Sequence, residues 1–145
     1  MEILNRKAHF NYFILEEIES GIELFGSEVK SIRDGNCNIK DSYAIIRNNE
    51  VYLINMFIKN YKEASIFNKE ETRKRKLLLH KKEIFKLKEK IEKEGFTLVP
   101  LKVYFNRNKV KVLLGVCKGK KNFDKREVLK EKDVKRKIER ELKNY

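Results

Sequence analysis

In two places the chain carries a β-rich run, a short Asn-bearing connection and a second β-rich run. These are Ser42 to Arg47, Asn48-Asn49-Glu50, then Val51 to Phe57, and later Phe96 to Phe105, Asn106-Arg107-Asn108, then Lys109 to Lys118. Connections this short permit only antiparallel pairing, because parallel neighbours need a crossover of a dozen or more residues. Phe10 to Leu24 reads the same way, with Phe10, Tyr12 and Ile14 as one strand, Ser20-Gly21 at the tight turn and a second short strand after it. Three antiparallel hairpins, six strands in all, are therefore expected.

Two helical segments interrupt the β pattern. Val29 and Ile32 are spaced three apart, Ser27 is placed to cap and Gly35 follows the end, so a short helix is expected near 27–34. Ile84, Leu87 and Ile91 recur at three and four residues and Gly95 stops them, giving an amphipathic helix near 79–94. Strands and helices do not alternate as βαβ units. The fold class is thus mainly β with added helices: an OB-like six-stranded antiparallel barrel over residues 1–117. Between the second hairpin and the longer helix, residues 59–76 are polar and aperiodic, with Tyr61 and Phe67 as anchors, and read as a long functional loop.

The chain has 145 residues, 41% of them hydrophobic, enough for one core; a chain of that size buries about 70% of its unfolded surface. The first apolar stretch is broken by Asn5, Arg6 and Lys7, so no secretion leader is expected and a cytoplasmic location follows. The longest apolar run, Val112 to Cys117, is far shorter than the roughly 20 residues of a membrane helix, and no membrane partner is expected. Cys37 and Cys117 stand alone, without metal-ligand spacing, and read as small core or surface residues.

Charge is polarised along the chain. Residues 1–50 hold six basic and nine acidic side chains, a net of −3, whereas 51–145 hold 29 and 13, a net of +16. Arg73 to Lys76, Lys81-Lys82 and Lys118-Gly119-Lys120-Lys121 gather one sign in clusters with aromatic residues between them. Cations neutralise phosphates while Tyr, Phe and His offer faces for unstacked bases, so RNA is the expected partner. Residues 118–145, with 12 basic and six acidic side chains and a thin stripe of Val134, Ile138, Leu142 and Tyr145, read as a flexible basic C-terminal tail, loose alone and helical on a partner.

Catalytic constellations are sparse. His80 and Glu83 lack a nucleophile or second histidine and read as surface or capping groups; His9 is placed near a strand edge. The segment from Gly115 to Lys121 looks like a phosphate loop but has one residue too few between its glycines and no Ser or Thr for magnesium. Glu28, Asp34 and Asp41 read as solvated rather than as a cation site. Glu28 keeps two readings, a first-turn carboxylate favoured by the helix dipole or an acceptor for base amino groups and sugar hydroxyls. No cofactor and no metal are expected.

Ordered strings in the chain resemble the SmpB family of SsrA-binding proteins. They are Asn5-Arg6-Lys7-Ala8 with Tyr12, Gly21 to Leu24, Gly26 to Arg33, Asp41-Ser42-Tyr43, Arg73 with Arg75 to His80, Gly95 to Leu101, and Gly115 to Lys121 with Asp124-Lys125-Arg126. The resemblance implies an RNA-binding adaptor, without a catalytic step, that binds the tRNA-like domain of transfer-messenger RNA (tmRNA, SsrA) and delivers it to stalled ribosomes for trans-translation. It places Asn5, Arg6, Lys7, Tyr12, Glu28, Lys30, Arg73, Arg75, Lys76, Leu77 and Leu78 on the RNA-binding side. It assigns Lys118, Lys120, Lys121, Asp124, Lys125, Arg126, Lys130 and Arg136 to a tail that engages the small-subunit decoding centre and messenger channel, with EF-Tu reached indirectly through charged tmRNA. Ala at Glu28 or Arg75 is expected to weaken RNA binding and to leave the fold intact. The alternatives are a generic OB-like rRNA-binding ribosomal or translation protein, and a metal-dependent RNA-processing enzyme using Glu28, Asp41 or His80.

Overall fold

Both Asn-bearing connections close as two-residue turns. In the computed structural model, which describes residues 2–60 and 70–120, β4 (Tyr43–Arg47) and β5 (Glu50–Ile54) are joined by Asn48 and Asn49 at φ 53° and 60°. β8 (Thr97–Asn106) and β9 (Lys109–Gly119) are joined by Arg107 and Asn108 at φ 52° and 64°. Two successive left-handed residues give a turn whose twist matches the flanking strands, and Asn tolerates that region better than most residues.

The hairpin expected over Phe10 to Leu24 does not form. After a short helix α1 (Ala8–Asn11), which holds His9, one 11-residue strand, β2 (Tyr12–Ile22), runs antiparallel to β9 from Tyr12↔Gly119 to Gly21↔Lys111. A bulge at Leu15 shifts the register between Ile14 and Glu16. Ser20-Gly21 marks close packing rather than a turn. The Ser20 hydroxyl donates to the Val112 carbonyl at 3.0 Å, and a Cβ on Gly21 would lie 3.2 Å from Leu78 Cβ.

The sixth barrel strand begins instead in the last two residues of the segment 59–76 read as loop: β7 (Arg75–Leu78) pairs with β5 through Val51↔Leu77 to Leu53↔Arg75 and with β2 through Gly21↔Leu78 and Ile22↔Leu77. The ring then closes as β8-β4-β5-β7-β2-β9, since β8 and β9 pair along their whole length; every pairing is antiparallel. The β4–β8 seam consists of a single pairing, Ala44↔Leu98. Three short strands lie outside the ring and were not foreseen. β1 (Glu2–Leu4) pairs with β8, and β3 (Cys37–Asn38) forms a two-stranded ribbon with β6 (Phe57–Ile58). β9 runs to Gly119, two residues past the expected barrel limit, so Gly115 to Gly119 is strand and not a phosphate loop.

Alternate residues of the strands fill the barrel: Val51 and Leu53, Leu77, Leu98 and Val103, then Val112, Leu114 and Val116. Each such side chain stabilises the fold by about 1.5–3 kcal/mol relative to exposure. The helices α2 (Gly26–Arg33) and α3 (Lys81–Glu94) add Ile32, Ile84 and Leu87 to the same core. α2 starts one residue before the proposed Ser27 cap, with Phe25 at the N-cap, because Glu28 turns back to accept the Phe25 N–H at 2.9 Å. α3 begins likewise, with Glu83 accepting the His80 N–H at 3.1 Å, and stops at Gly95 with φ 69°. Cys117 is buried and Cys37 partly buried; burial pushes their thiols up to about 11 and about 12.

Candidate nucleic-acid interface

The strongest electrostatic feature of the fold is a clamp at the start of β7. Arg75 is fully buried, and its guanidinium donates to Glu28 Oε2 at 2.7 Å, to the Met56 carbonyl at 2.5 Å and to the carbonyls of Arg73 and Glu71. Arg73 reaches the same carboxylate at 2.5 Å and lies over the Phe25 ring. Burial opposes ionisation of Glu28, yet the hydrogen bonds from Arg73, the Phe25 N–H and Arg75 outweigh it and hold the carboxyl below its ordinary range. Both oxygens of Glu28 are therefore occupied within the protein. This corrects the expectation that Glu28 and Arg75 face RNA: Glu28 is 6% exposed, Arg75 0%, and Leu77, at 1%, belongs to the barrel core. The same occupancy removes Glu28 as a cation ligand. Arg73 remains partly exposed, and Lys76 pairs with Glu50 at 3.0 Å.

The clamp fixes β7, and β7 presents Leu78 outward, 47% exposed. Strand register then defines a row on the outer face of the barrel: Leu78 opposite Gly21, Gly21 opposite Lys111, and Lys111 opposite Tyr104. Residues directly opposite one another share a face, and the missing side chain of Gly21 lets Leu78 pack down over the β2 backbone beside Lys111. Glu19, two residues back on β2, shares that face and accepts a hydrogen bond from the Tyr104 hydroxyl. Burial and this carboxylate push the Tyr104 phenol up to about 12, and Lys102 sits over the Tyr104 ring at 5.1 Å. A cleft of about 720 Å³ opens here, lined by Glu19, Gly21, Leu78, His80, Lys109 and Lys111 among others.

This face has the elements an RNA loop needs. Lys109 and Lys111 supply cations for phosphates, the exposed side of Leu78 accommodates a flat ring or a sugar, and Glu19 accepts from an amino or 2′-hydroxyl group. Of its residues, the sequence reading named Leu78 for RNA and His80 for a surface or capping role; His80 is exposed at the N-cap of α3, its N–H donating to Glu83. Glu19, Gly21, Tyr104 and Lys111 were missed because the supposed turn at Ser20-Gly21 took β2 out of register with β9. The alternation of Lys109, Lys111 and Leu113 with Val110, Val112 and Leu114 was the available signal.

The remaining expected residues lie elsewhere. Asn5 is buried at 4% and structural: its amide donates to the carbonyls of Pro100 at 2.9 Å and Ile39 at 3.3 Å, at the bulge of β8 around Leu101. Arg6, Lys7 and Lys30 are exposed. Lys7 and Tyr12 border a second cavity, about 410 Å³, with Lys40, Asp41 and Tyr43. Lys118 is exposed, opposite Phe13, while Lys120 donates to the His9 carbonyl and covers the Phe13 ring at 4.9 Å. Lys121, Asp124, Lys125, Arg126, Lys130 and Arg136, like Tyr61 and Phe67 of the expected loop, lie outside the described residues. Among the described residues no His, Cys, Asp and Glu group is placed to hold a metal ion, and no helix is long and apolar enough to cross a membrane.

With that geometry in hand, comparison with known proteins is decisive. The chain matches the family described as SmpB protein over residues 2–144. It belongs to the SmpB family. SmpB-family relatives include the SsrA-binding protein of Clostridium tetani, 57% identical over 97% of this chain and 90% of that protein, and the SsrA-binding protein of Sulfurihydrogenibium sp., 54% identical over 96% and 91%. In three dimensions the fold is similar to a chain from a solved structure described as "tmRNA-SmpB: a journey to the center of the bacterial ribosome". The TM-score is 0.70 and the identity 49%, over 83% of this chain and 85% of that one. The mainly β, near-ring architecture read from the sequence is that of SmpB.

Proposed function

We propose that this chain is an RNA-binding adaptor that holds the tRNA-like domain of tmRNA and delivers it to stalled ribosomes for trans-translation and ribosome rescue. The observation that carries the reading is the match along residues 2–144 to a family whose relatives are SsrA-binding proteins. The outer-face row of Leu78, Gly21, Lys111 and Tyr104, with Glu19 beside it, supplies chemistry that fits a folded RNA. Arg6, Lys7 and Lys30 add exposed cations to the RNA-facing surface. The segment from Lys118 onward, 12 basic residues against six acidic, follows the messenger channel to the decoding centre, and EF-Tu meets the complex through charged tmRNA. The protein acts in the cytoplasm and performs no catalytic step of its own.

A salt-dependent binding titration against tmRNA and an ordinary tRNA tests this. Selective binding to tmRNA with a steep negative dependence on salt is expected, because each neutralised phosphate releases counterions. Equal affinity for both RNAs would leave a generic RNA-binding translation protein as the better description.

A further inference from the structure

α3 carries an aromatic ring that the core does not use. Ile84 and Leu87 are buried and Ile91 packs against the same core, yet Phe85 points outward and is 63% exposed, the highest value among the exposed large hydrophobic side chains of the described residues. On the helix surface its neighbours at three and four residues are Lys81, Lys82, Lys88 and Glu89. A cavity of about 730 Å³ lies between this turn and the β4–β5 connection, lined by Phe85 and Ile84 with Lys81, Lys82, Lys86, Asn48, Asn49 and Glu50, whose carboxylate is taken up by Lys76 and Tyr52. Among the described residues, none of these three lysines takes part in an ion pair. One planar apolar face thus lies among unpaired cations and two exposed amide side chains, which outnumber the carboxylates of Glu50 and Glu89 beside it.

We propose that this surface is a further RNA contact, taking one unpaired nucleobase on the Phe85 ring with its flanking phosphates on Lys81, Lys82 and Lys86. The charge selects an anionic partner. The ring selects a flat one, and Asn48 and Asn49 supply donors and acceptors for a base edge. Position supports the same occupant. The cleft around Leu78 and Lys111 includes His80 and Glu83, whereas this cavity includes Lys81, Lys82 and Lys86. The two sites therefore border the same first turn of α3, and an RNA strand leaving one meets the other. The inference rests on the proposed function only for the class of ligand.

The test is a titration of the isotope-labelled full chain with a short oligouridylate, read residue by residue through amide shifts, alongside separate titrations with tmRNA. Shifts centred on residues 81–86 and on Asn48 and Asn49 are expected. Phe85→Ala is expected to weaken oligouridylate binding at least about fivefold, the lower end for loss of one base stack, with an unchanged Tm because the ring lies outside the core. Phe85→Tyr is expected to retain binding. Shifts confined to Gly21, Leu78 and Lys111, or unaltered affinity in Phe85→Ala, would overturn this site while leaving the adaptor reading in place. Full affinity in Phe85→Leu would also overturn it, since an aliphatic contact would then suffice. Loss of tmRNA selectivity without loss of the Phe85-dependent shifts would count against the adaptor reading alone.

Discussion

Glu28 and Arg75 stand 47 positions apart in the chain and 2.7 Å apart in the fold, where one carboxylate ties the first turn of α2 to the first residue of β7. The same carboxylate accepts the Phe25 N–H and the Arg73 guanidinium, so a single side chain caps a helix and secures the strand that carries Leu78. The site on the outer face depends on residues that never touch its ligand.

Arg75→Ala is expected to destabilise the protein by about 3–5 kcal/mol, because it leaves a buried carboxylate with half of its charge compensation and several carbonyls without donors. Urea denaturation monitored by circular dichroism checks this. A midpoint within error of wild type would show the clamp to be dispensable, and any loss of RNA affinity must be read beside the loss of fold.

The clamp also gives stability a defined pH dependence. Glu28 has a folded pKa below its unfolded value near 4.3, so the unfolded state binds its proton first. Its contribution is complete above that unfolded value and is lost as pH falls through the lower folded pKa. Glu28→Gln is expected to lower stability at neutral pH and to flatten the acid limb of the stability curve below about pH 4.3. Parallel acid limbs for the two proteins would contradict the assignment.

Lys111→Ala is expected to weaken tmRNA binding and to reduce the slope of log K against log salt by about 1, the signature of one lost phosphate contact, with little change in Tm. An unchanged slope would remove Lys111 from the phosphate path.

Gly21→Val pushes Leu78 off the β2 backbone, since even a Cβ there would lie 3.2 Å from Leu78 Cβ. Affinity for tmRNA is expected to drop about tenfold, the order of a contact worth 1–3 kcal/mol, with the salt slope preserved, because shape changes and charge does not. A filter-binding series at several salt concentrations separates this from the effect of Lys111→Ala.

Removal of residues 121–145 keeps Lys120 on the His9 carbonyl and is expected to preserve tmRNA affinity while abolishing peptide tagging on stalled ribosomes. Normal tagging in a reconstituted translation reaction would show that the basic tail is not the ribosome-engaging part.

Much of the barrel was legible in the chain because its signals are local. Asn48-Asn49 and Arg107-Asn108 declare tight turns, and Gly95 ends α3 at a positive φ. What failed was non-local. Ser20-Gly21 is locally indistinguishable from a turn, and only the packing of Leu78 and Val112 shows that the strand continues. β7 is four residues long and begins in a run of cations, so its strand character comes from two neighbours rather than from its own pattern. The candidate site suffered in the same way. Arg75 was read as a surface cation because burial of an arginine depends on a carboxylate far away in sequence, while Glu19 and Lys111 became neighbours of Leu78 only once three strands were in register.

The lone Ala44↔Leu98 pairing has a mechanical consequence. The β2–β7 seam is nearly as thin, with only Gly21↔Leu78 and Ile22↔Leu77, so the cylinder consists of two panels, β4-β5-β7 and β2-β9-β8, stitched firmly within themselves and lightly to each other. Side chains of the shared interior, Leu53, Leu98 and Val116 among them, therefore hold the panels together more than backbone bonds do. The wall parts along these two lines before either panel unravels.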